Sequence, residues 1–266
     1  MLKGNQPTDG GALIIEAADY DEFVRREPAA KKYIKKLLGA AEFINGKKRY
    51  CLWLVGVEPS ELRKMPLVME RVARCRAMRE ASVDAGARKL ASRPTEFRET
   101  NNPKTYLAVP CASSERRRYV PIGFLNSETI ATNLLLTVPH ATLYHFGVMT
   151  SSAHMAWTRA VCGRLKSDYR YSATVVYNNF PWPTPTDAQR AEIERTARAV
   201  LDARALFPDS SLADLYDELV MPQELRDAHR RNDEAVERAF GFPKGASESA
   251  VVAELMKRYS DLVAEK

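Results

Sequence analysis

Residues 163–183 read GRLKSDYRYSATVVYNNFPWP, and this stretch sets the expectations for the rest of the chain. Lys166, Asp168 and Arg170 fall on every second residue. Because successive side chains of an extended strand point to opposite faces, this spacing predicts that the three charged groups share one face. Lysine and arginine donate to guanine O6 and N7, and aspartate accepts from the cytosine amine, so such a face suits the base edges of duplex DNA. A solvated edge strand of mixed charge is the alternative explanation.

The second half of this stretch is apolar and rich in proline. Residues 175–177 predict a short buried strand, whereas the two prolines of residues 180–183 exclude regular structure and leave two large rings to be buried. Tyr169 and Tyr171 alternate with the charged residues, and tyrosines on strands more often pack into a core than brace a binding face. The stretch therefore predicts a polar edge beside a rigid aromatic anchor.

Composition indicates a globular chain with an excess of basic residues. Of 266 residues 45% are hydrophobic, and 40 Lys and Arg against 34 Asp and Glu give a net charge of +6. The lysine and arginine clusters all precede Gly163, namely those at residues 31–32, 35–36, 47–49 and 116–118. This distribution favours a polyanionic partner for the first two-thirds of the chain.

Several classes of site are not indicated by the sequence. The four cysteines are widely spaced and the four histidines lack metal-ligand spacing with them, so neither a metal site nor a disulfide framework is expected. The sequence has no P-loop, no HExxH and no GxSxG motif, and no convincing nuclease cluster. No signal peptide and no membrane-length apolar run occur, so a cytoplasmic location without membrane contact is expected. We expect no catalytic residue in this chain by itself.

Local patterns predict an α+β fold, with a mixed sheet-containing domain over residues 1–185 and a small helical bundle over residues 186–266. Residues 1–11 are polar and are expected to be a linker. The elements expected are helices at 17–26 and 28–38, a β-hairpin at 43–55 turning at Asn45-Gly46, a helix from Pro66 with solvated arginines, strands at 105–110, 119–125, 134–138 and 141–148, a helix at 151–162, and helices after Thr186, at 222–240 and from Ser247.

Motifs along the whole chain carry a resemblance to a known family. They are GNQPTDGG at residues 4–11, FING at 43–46, SSERR at 113–117, GRL at 163–165, YRYS at 169–172, YNNFPWP at 177–183 and Asn232-Asp233. With these motifs the chain resembles the target-recognition region of the MmeI-like (type IIL) restriction-modification proteins, which join an N6-adenine DNA methyltransferase to a recognition domain.

The resemblance implies a DNA recognition module whose methyltransferase domain precedes Met1 on the same polypeptide. S-adenosylmethionine is then expected in that upstream domain and no cofactor in this chain. Such a methyltransferase needs a glycine-rich turn and an Asn/Asp-Pro-Pro-aromatic tetrapeptide. Residues 179–182 (NFPW) match the tetrapeptide only loosely, so we interpret them as structural.

The resemblance also assigns candidate residues for contact with double-stranded DNA. The two positions after residues 163–165 that are separated by one residue, Lys166 and Asp168, correspond to a base-reading pair. Arg170 corresponds to another reading position and is expected to act with a residue near Asn133 or Leu134. Contact with the phosphate backbone, or support of the reading residues, is expected from Ser113, Ser114, Arg116, Arg117, Arg164 and Asn133.

Two other function classes stay open on the sequence alone. The first is an enzyme with its own active site, which requires a cluster of titratable groups. The second is a non-catalytic protein-interaction or structural module whose basic surface is incidental. A solvated charged turn also remains the alternative for residues 113–117.

Overall fold

A computed structural model describes residues 1–264, and the predicted α+β class is confirmed. The strands in this part of the chain are β1 (Ile14–Glu16), β2 (Ile34–Leu38), β3 (Arg49–Leu52), β4 (Thr105–Pro110), β5 (Ala112–Ser113), β6 (Gly123–Asn126), β7 (Thr129–Ala131), β8 (Leu135–Pro139), β9 (Gly163–Leu165) and β10 (Asp168–Arg170). The helices are α1 (Tyr20–Arg26), α2 (Ala40–Asn45), α3 (Pro59–Leu62), α4 (Pro66–Glu80), α5 (Ala85–Lys89), α6 (Leu143–Met149), α7 (Ser152–Val161), α8 (Asp187–Ala205), α9 (Leu212–Leu215), α10 (Gln223–Phe240) and α11 (Glu248–Ala264).

The strands form three sheets with different partners. The first has the order β1-β3-β2-β7, with β7 parallel to β2, and one of its faces packs with α4 in a core that includes Leu13, Leu52 and Val68. The second, β6-β4-β8, is antiparallel and is covered by the C-terminal helices. The third, β5-β10-β9, is short and antiparallel.

One hydrophobic core joins residues on both sides of position 185. Trp157 and Phe180 precede this position, and Ile193, Val236 and Leu255 follow it, yet all five are buried in the same cluster. The helices α8, α10 and α11 therefore gain their stability by packing on the sheet and on α6 and α7, because an amphipathic helix has to bury its apolar face. The predicted division of the chain near residue 185 does not divide this core.

Four local predictions are wrong because tertiary contacts or helix ends decide the conformation. Residues 34–38 form a strand between β3 and β7 instead of a helix, after a 3₁₀ turn at Pro28–Tyr33. The expected hairpin at residues 43–55 is the end of α2 followed by β3, since Gly46 has φ +65° and caps the helix in a left-handed conformation. Helix α6 replaces the strand expected at 141–148, and a π-helical turn, Ala173–Tyr177, replaces the one at 175–177.

The N-terminal segment, expected to be a linker, is held in the fold. Leu2 exchanges backbone hydrogen bonds with Thr137, and the side chain of Asn5 is buried against the backbone of Asn101 and Ala131. Asp9 accepts the backbone N–H of Leu13 at 2.6 Å. These contacts use the polar residues of the segment as acceptors and donors for other chain segments, so residues 1–11 belong to the folded body.

Arg79 of α4 also binds the backbone of this segment. It was expected on a solvated helix face, but it is fully buried. Its guanidinium donates five hydrogen bonds of 2.7–3.0 Å to the carbonyl oxygens of Pro7, Thr8, Leu90, Arg93 and Glu96. Five donors in a planar fork are what only arginine offers, and they compensate part of the cost of removing the charge from water.

Replacing Arg79 by lysine is expected to destabilise the protein by roughly 2–4 kcal/mol, because an ammonium leaves several buried carbonyl groups without a donor. The measurement is the free energy of unfolding in urea. Arg76→Lys on the exposed side of the same helix is the matched control and should change it by less than about 0.5 kcal/mol. Equal effects of the two substitutions would contradict a special role for Arg79.

Candidate nucleic-acid interface

Strands β9 and β10 form a hairpin closed by the two-residue turn Lys166-Ser167. Asp168 pairs with Leu165, and Arg170 pairs with Gly163. The guanidinium Nη1 of Arg164 donates to the carbonyl oxygen of Ser167 at 2.9 Å, and this hydrogen bond stabilises the turn. Lys166 has φ +55°, a left-handed conformation that costs a residue with a Cβ about 1 kcal/mol.

The turn changes the expected arrangement of the charged residues. Lys166 lies at the tip of the hairpin, so it does not share a strand face with the other two, whereas Asp168 and Arg170 lie on one face of β10 as predicted. All three side chains are exposed. No ion pair joins Lys166 to Asp168 in the described residues 1–264, so the cation and the anion both face solvent.

The opposite face of β10 is buried. Tyr169 pairs with Ser113 of β5, and both residues are buried. The guanidinium of Arg164 lies 4.0 Å from the centre of the Tyr169 ring and covers it from the hairpin side. The prediction that Tyr169 and Tyr171 pack into the core is confirmed. Ser113 is buried behind β10, where it can support the reading residues but cannot contact the phosphate backbone directly, so its supporting role stays a prediction.

An aromatic anchor joins α7 to the segment that follows the hairpin. It consists of His154, Trp157, Tyr171, Phe180 and Trp182. The Tyr171 hydroxyl and His154 Nε2 are 2.9 Å apart, and Trp157 Nε1 donates to the carbonyl oxygen of Val176 at 2.9 Å. Phe180 contacts the rings of His154, Trp157 and Trp182 edge to face. Complete burial lowers the pKa of His154 to about 3, so this imidazole is neutral at physiological pH.

The loop after β5 lies beside the hairpin and carries three successive arginines. Arg116 and Arg118 are exposed, and Arg117 is half-buried with no hydrogen-bond partner for its Nε atom among the described residues. Burial lowers the pKa of Arg117, although the charges of Asp168 and Asp217 act in the opposite direction. The loop therefore lies close enough to Asp168 for their charges to interact.

Arg170 and the turn at Asn133 are brought together by strand β5. Arg170 pairs with Ala112, while the neighbouring Cys111 donates its backbone N–H to the carbonyl oxygen of Leu134 at 3.0 Å. Asn133 is half-buried and Leu134 is exposed beside it. Strand β5 thus lies between Arg170 and this turn, and their joint action on a base stays a prediction.

Six cations of the hairpin and the neighbouring loop form no ion pair in the described residues. We refer to them as the hairpin cations, namely Arg116, Arg117, Arg118, Arg164, Lys166 and Arg170. In residues 1–264 none of them forms an ion pair, whereas arginines elsewhere, such as Arg49, Arg159 and Arg258, do. Only Glu115 and Asp168 supply negative charge in the two segments that carry the cations. The hairpin carries Arg164, Lys166 and Arg170 against Asp168, a net charge of +2 that favours a polyanion, whereas Glu218, Glu237 and Glu248 line the pocket beside the arginine loop.

Two buried polar residues of α10 support both segments of this surface. Asp233 accepts the Tyr119 hydroxyl at 2.6 Å and the backbone N–H of Ser152 at 2.7 Å, so it joins the end of the arginine loop to the first turn of α7. Asn232 donates to the carbonyl oxygen of Gly147 at 2.8 Å. Asp233 thus caps the first turn of α7, and Asn232 docks α10 against α6.

Neither a metal centre nor a membrane span is found in the described part of the chain. Residues 1–264 contain no group of three or more His, Cys, Asp or Glu side chains placed to hold a metal ion, and all four cysteines are free. No helix among these residues combines the length and the apolar character needed to cross a bilayer.

Comparison with known families gives two matches that follow one another along the chain. The model described as "MmeI, target recognition domain" matches residues 1–184, and the model described as "MmeI, C-terminal domain" matches residues 185–265.

Similar proteins are longer than this chain. DNA methyltransferase A of Bacillus subtilis (strain 168) is 40% identical over 260 residues, which cover 97% of this chain and 30% of that protein. A solved structure of the Type IIL restriction-modification enzyme MmeI in complex with DNA is also 40% identical. It superposes with a TM-score of 0.96 over 99% of this chain and 35% of its own. The chain thus spans about a third of the length of these relatives.

Replacing Lys166 by glycine is expected to leave the free energy of unfolding unchanged or to raise it by up to about 1 kcal/mol, since glycine tolerates the left-handed conformation. Ser167→Gly, one residue further in the same turn and without a positive φ, is the control and should lower it by about 0.5–1 kcal/mol. Chemical denaturation of both variants tests this. A clear loss of stability in Lys166→Gly would show that the ammonium supports the fold.

Asp233→Asn is expected to become more stable relative to the unsubstituted protein as pH rises. Burial raises the pKa of Asp233 to about 7, so the folded state binds a proton more tightly than the unfolded state. The contribution of Asp233 to the free energy of unfolding is therefore fully present below about pH 4 and is lost as the pH rises to about 7. The difference in free energy of unfolding should shift by roughly 2 kcal/mol between pH 5 and pH 8.

The control for this titration is Glu234→Gln, the exposed neighbour on the same helix, whose carboxylate stays in water in both states. A pH-independent difference between the Asp233→Asn variant and the unsubstituted protein would rule out the titration of Asp233.

Proposed function

Because the chain belongs to the family of the MmeI target recognition and C-terminal domains, we propose that it selects a specific duplex DNA sequence for an adenine-specific (N6) DNA methyltransferase domain on the same polypeptide. Its task is then to hold the target site in register while the catalytic domain modifies one adenine. The similar MmeI structure was determined in complex with DNA, which supports DNA as the ligand.

The observation that carries this proposal is the exposed hairpin among the unpaired hairpin cations. A β-ribbon of two strands fits the major groove of B-DNA, where each base pair presents its own pattern of donors and acceptors. The β9–β10 hairpin is the exposed end of the three-stranded sheet β5-β10-β9, and its tip and one face carry Lys166, Asp168 and Arg170. The aromatic anchor holds this ribbon in one orientation.

The chemistry of the three residues gives them separate roles. Lys166 at the tip donates to a guanine, and Asp168 accepts from the N4 amine of the cytosine in the same base pair. Arg170 reads a further base together with the Asn133 turn. Aspartate rejects a base that presents an acceptor at the same place, because two acceptors repel each other, so Asp168 supplies specificity as well as binding.

Contacts with phosphate fix the position of the duplex but do not read its sequence. We assign them to Ser114, Arg116 and Arg117 of the loop beside the hairpin. Arg164 is assigned a supporting role, since its guanidinium is already engaged by the Tyr169 ring and the Ser167 carbonyl. Arg117 is half-buried without a hydrogen-bond partner at Nε among the described residues, so a phosphate oxygen would satisfy a donor that the protein leaves open.

Catalysis and S-adenosylmethionine are assigned to the upstream domain. This chain lacks the glycine-rich turn and the tetrapeptide that such a methyltransferase needs, and its loose match, residues 179–182, is part of the aromatic anchor. Phe180 at the place of the first proline is buried against His154 and Trp157. Residues 179–182 are therefore unsuited to hold an extruded adenine, and the sequence has no glycine-rich turn for the cofactor.

Exchange of the two charges tests the proposal. In the full-length protein, Lys166→Glu combined with Asp168→Arg should change the preferred base pair at one position of the methylated sequence. The original sequence should lose roughly 1–3 kcal/mol of discrimination, about 5–150-fold in methylation rate at limiting DNA. Sequencing of methylated plasmid libraries measures the preference, and the salt dependence of binding should stay steep.

The matched control is a charge exchange within the exposed Glu22–Arg25 pair of α1, Glu22→Arg with Arg25→Glu, which should leave the preferred sequence intact. Unchanged specificity in the hairpin exchange, with folding preserved by circular dichroism, would make the pair structural. A protein-interaction module would show duplex binding without any sequence preference.

A further inference from the structure

Leu165 is a large apolar side chain exposed on the hairpin that the proposed function assigns to DNA. Leu165 is 59% exposed, and all three residues of β9 are exposed. Leu165 belongs to none of the apolar clusters formed by the described residues 1–264. It therefore contributes little to folding, although leucine is costly to leave in water.

The register places Leu165 on the face that carries the charged residues. It pairs directly with Asp168, and cross-strand partners project to the same face with Cβ atoms about 5 Å apart. Arg170, two residues further on β10, pairs with Gly163, where an added Cβ would meet nothing within 4 Å. On this face the carboxylate of Asp168, an acceptor, lies beside the apolar side chain of Leu165. The guanidinium of Arg170, a donor, lies next to them, and the space beside it at Gly163 is open.

Resting on the proposed function, we propose that Leu165 is a specificity-determining residue that contacts the 5-methyl group of a thymine in the major groove. The methyl group of thymine is the apolar feature that distinguishes it in the major-groove pattern, where the other edges are donors and acceptors. A leucine side chain has no hydrogen-bond donor or acceptor, so among the groups in the major groove it matches only the thymine methyl group.

The spacing favours a thymine in the base pair next to the one that Asp168 reads. Consecutive base pairs are about 3.4 Å apart along the helix axis, whereas Leu165 and Asp168 are separated by about 5 Å at Cβ. Two side chains at that separation reach adjacent base pairs more readily than the same one. Since Asp168 accepts from a cytosine amine, Leu165 covers the methyl group of a neighbouring thymine.

An edge strand that merely had to stay soluble would carry a different residue. Exposed edges are protected in proteins by charged side chains, proline or bulges, and an exposed leucine invites association instead. The face that Leu165 shares across the hairpin carries the charged side chains of Asp168 and Arg170, so the exposed leucine departs from the charged protection of that face. Contact with an apolar group of the ligand accounts for this departure.

The experiment removes only the methyl group from DNA. Once the sequence methylated by the full-length protein is known, each of its thymines and those of the flanking base pairs is replaced by deoxyuridine in turn. For the unsubstituted protein, one of these replacements should lower kcat/KM for methylation about fourfold, the value of one buried methyl group. Leu165→Ala should methylate the thymine and the deoxyuridine duplex at equal rates, because the contact is already absent.

Leu206→Ala provides the matched control, because Leu206 is 63% exposed and follows the end of α8. This variant should keep the full fourfold response to deoxyuridine. A loss of folding is checked by thermal unfolding, which neither substitution should change by more than about 1 °C, since both side chains are mostly in water.

Three outcomes would overturn the proposal. They are the absence of any thymine whose methyl group matters, an undiminished response to deoxyuridine in Leu165→Ala with unchanged rates, and an undiminished response with an equal loss of rate on both duplexes, which would indicate a wedge between base pairs. Failure of the proposed function is a different result, since the unsubstituted protein would then bind duplex DNA without sequence preference. The two failures are thus distinguished before any variant is measured.

Discussion

Burial of Tyr169 and Tyr171 determines the direction in which the polar residues of the hairpin point. With both rings inside, the two-residue period of β10 turns Asp168 and Arg170 outward. Each buried ring stabilises the fold by about 2–3 kcal/mol, which outweighs the cost of about 1 kcal/mol for the left-handed Lys166. The protein can therefore maintain a strained residue at the tip, and the orientation of the hairpin does not depend on the ligand.

Unpaired cations cost this protein little stability. An exposed ion pair contributes about 0–1 kcal/mol, so leaving the hairpin cations without partners forgoes a small amount of folding free energy. The same charges retain their full field toward a polyanion, which an ion pair would cancel. Arg79 has the opposite arrangement, because its buried charge is surrounded by five carbonyl oxygens and is unavailable to any ligand. The buried Arg79 therefore stabilises the fold, whereas the hairpin cations remain accessible to a ligand.

Local signals in the sequence predicted the elements whose ends are set locally. The proline at the start of α4, the Thr186–Gln189 capping box of α8 and Gly241 after α10 are each within a few residues of the element they define. The prediction of a helix at residues 34–38 was wrong because their strand conformation depends on pairing with β3 and β7. The prediction that residues 166, 168 and 170 share one strand face was wrong for Lys166 because a turn interrupts the strand there. The burial of Arg79 could not be foreseen, since its five acceptors come from two other chain segments, one of them more than 70 residues away.

The C-terminal helices act as a support for the hairpin. Asp233 of α10 joins Tyr119, which follows the arginine loop, to the start of α7, and α7 leads directly into β9. Asn232 on the same helix fixes α6, and Phe240 contacts Phe180 of the aromatic anchor. The two matched domains therefore depend on each other, since removal of α10 would leave both segments of the charged surface without their fixed partner. By contrast, in residues 1–264 the side chains of Lys166, Asp168 and Arg170 form no ion pair, and Leu165 joins no apolar cluster, so they can be exchanged without disturbing this support.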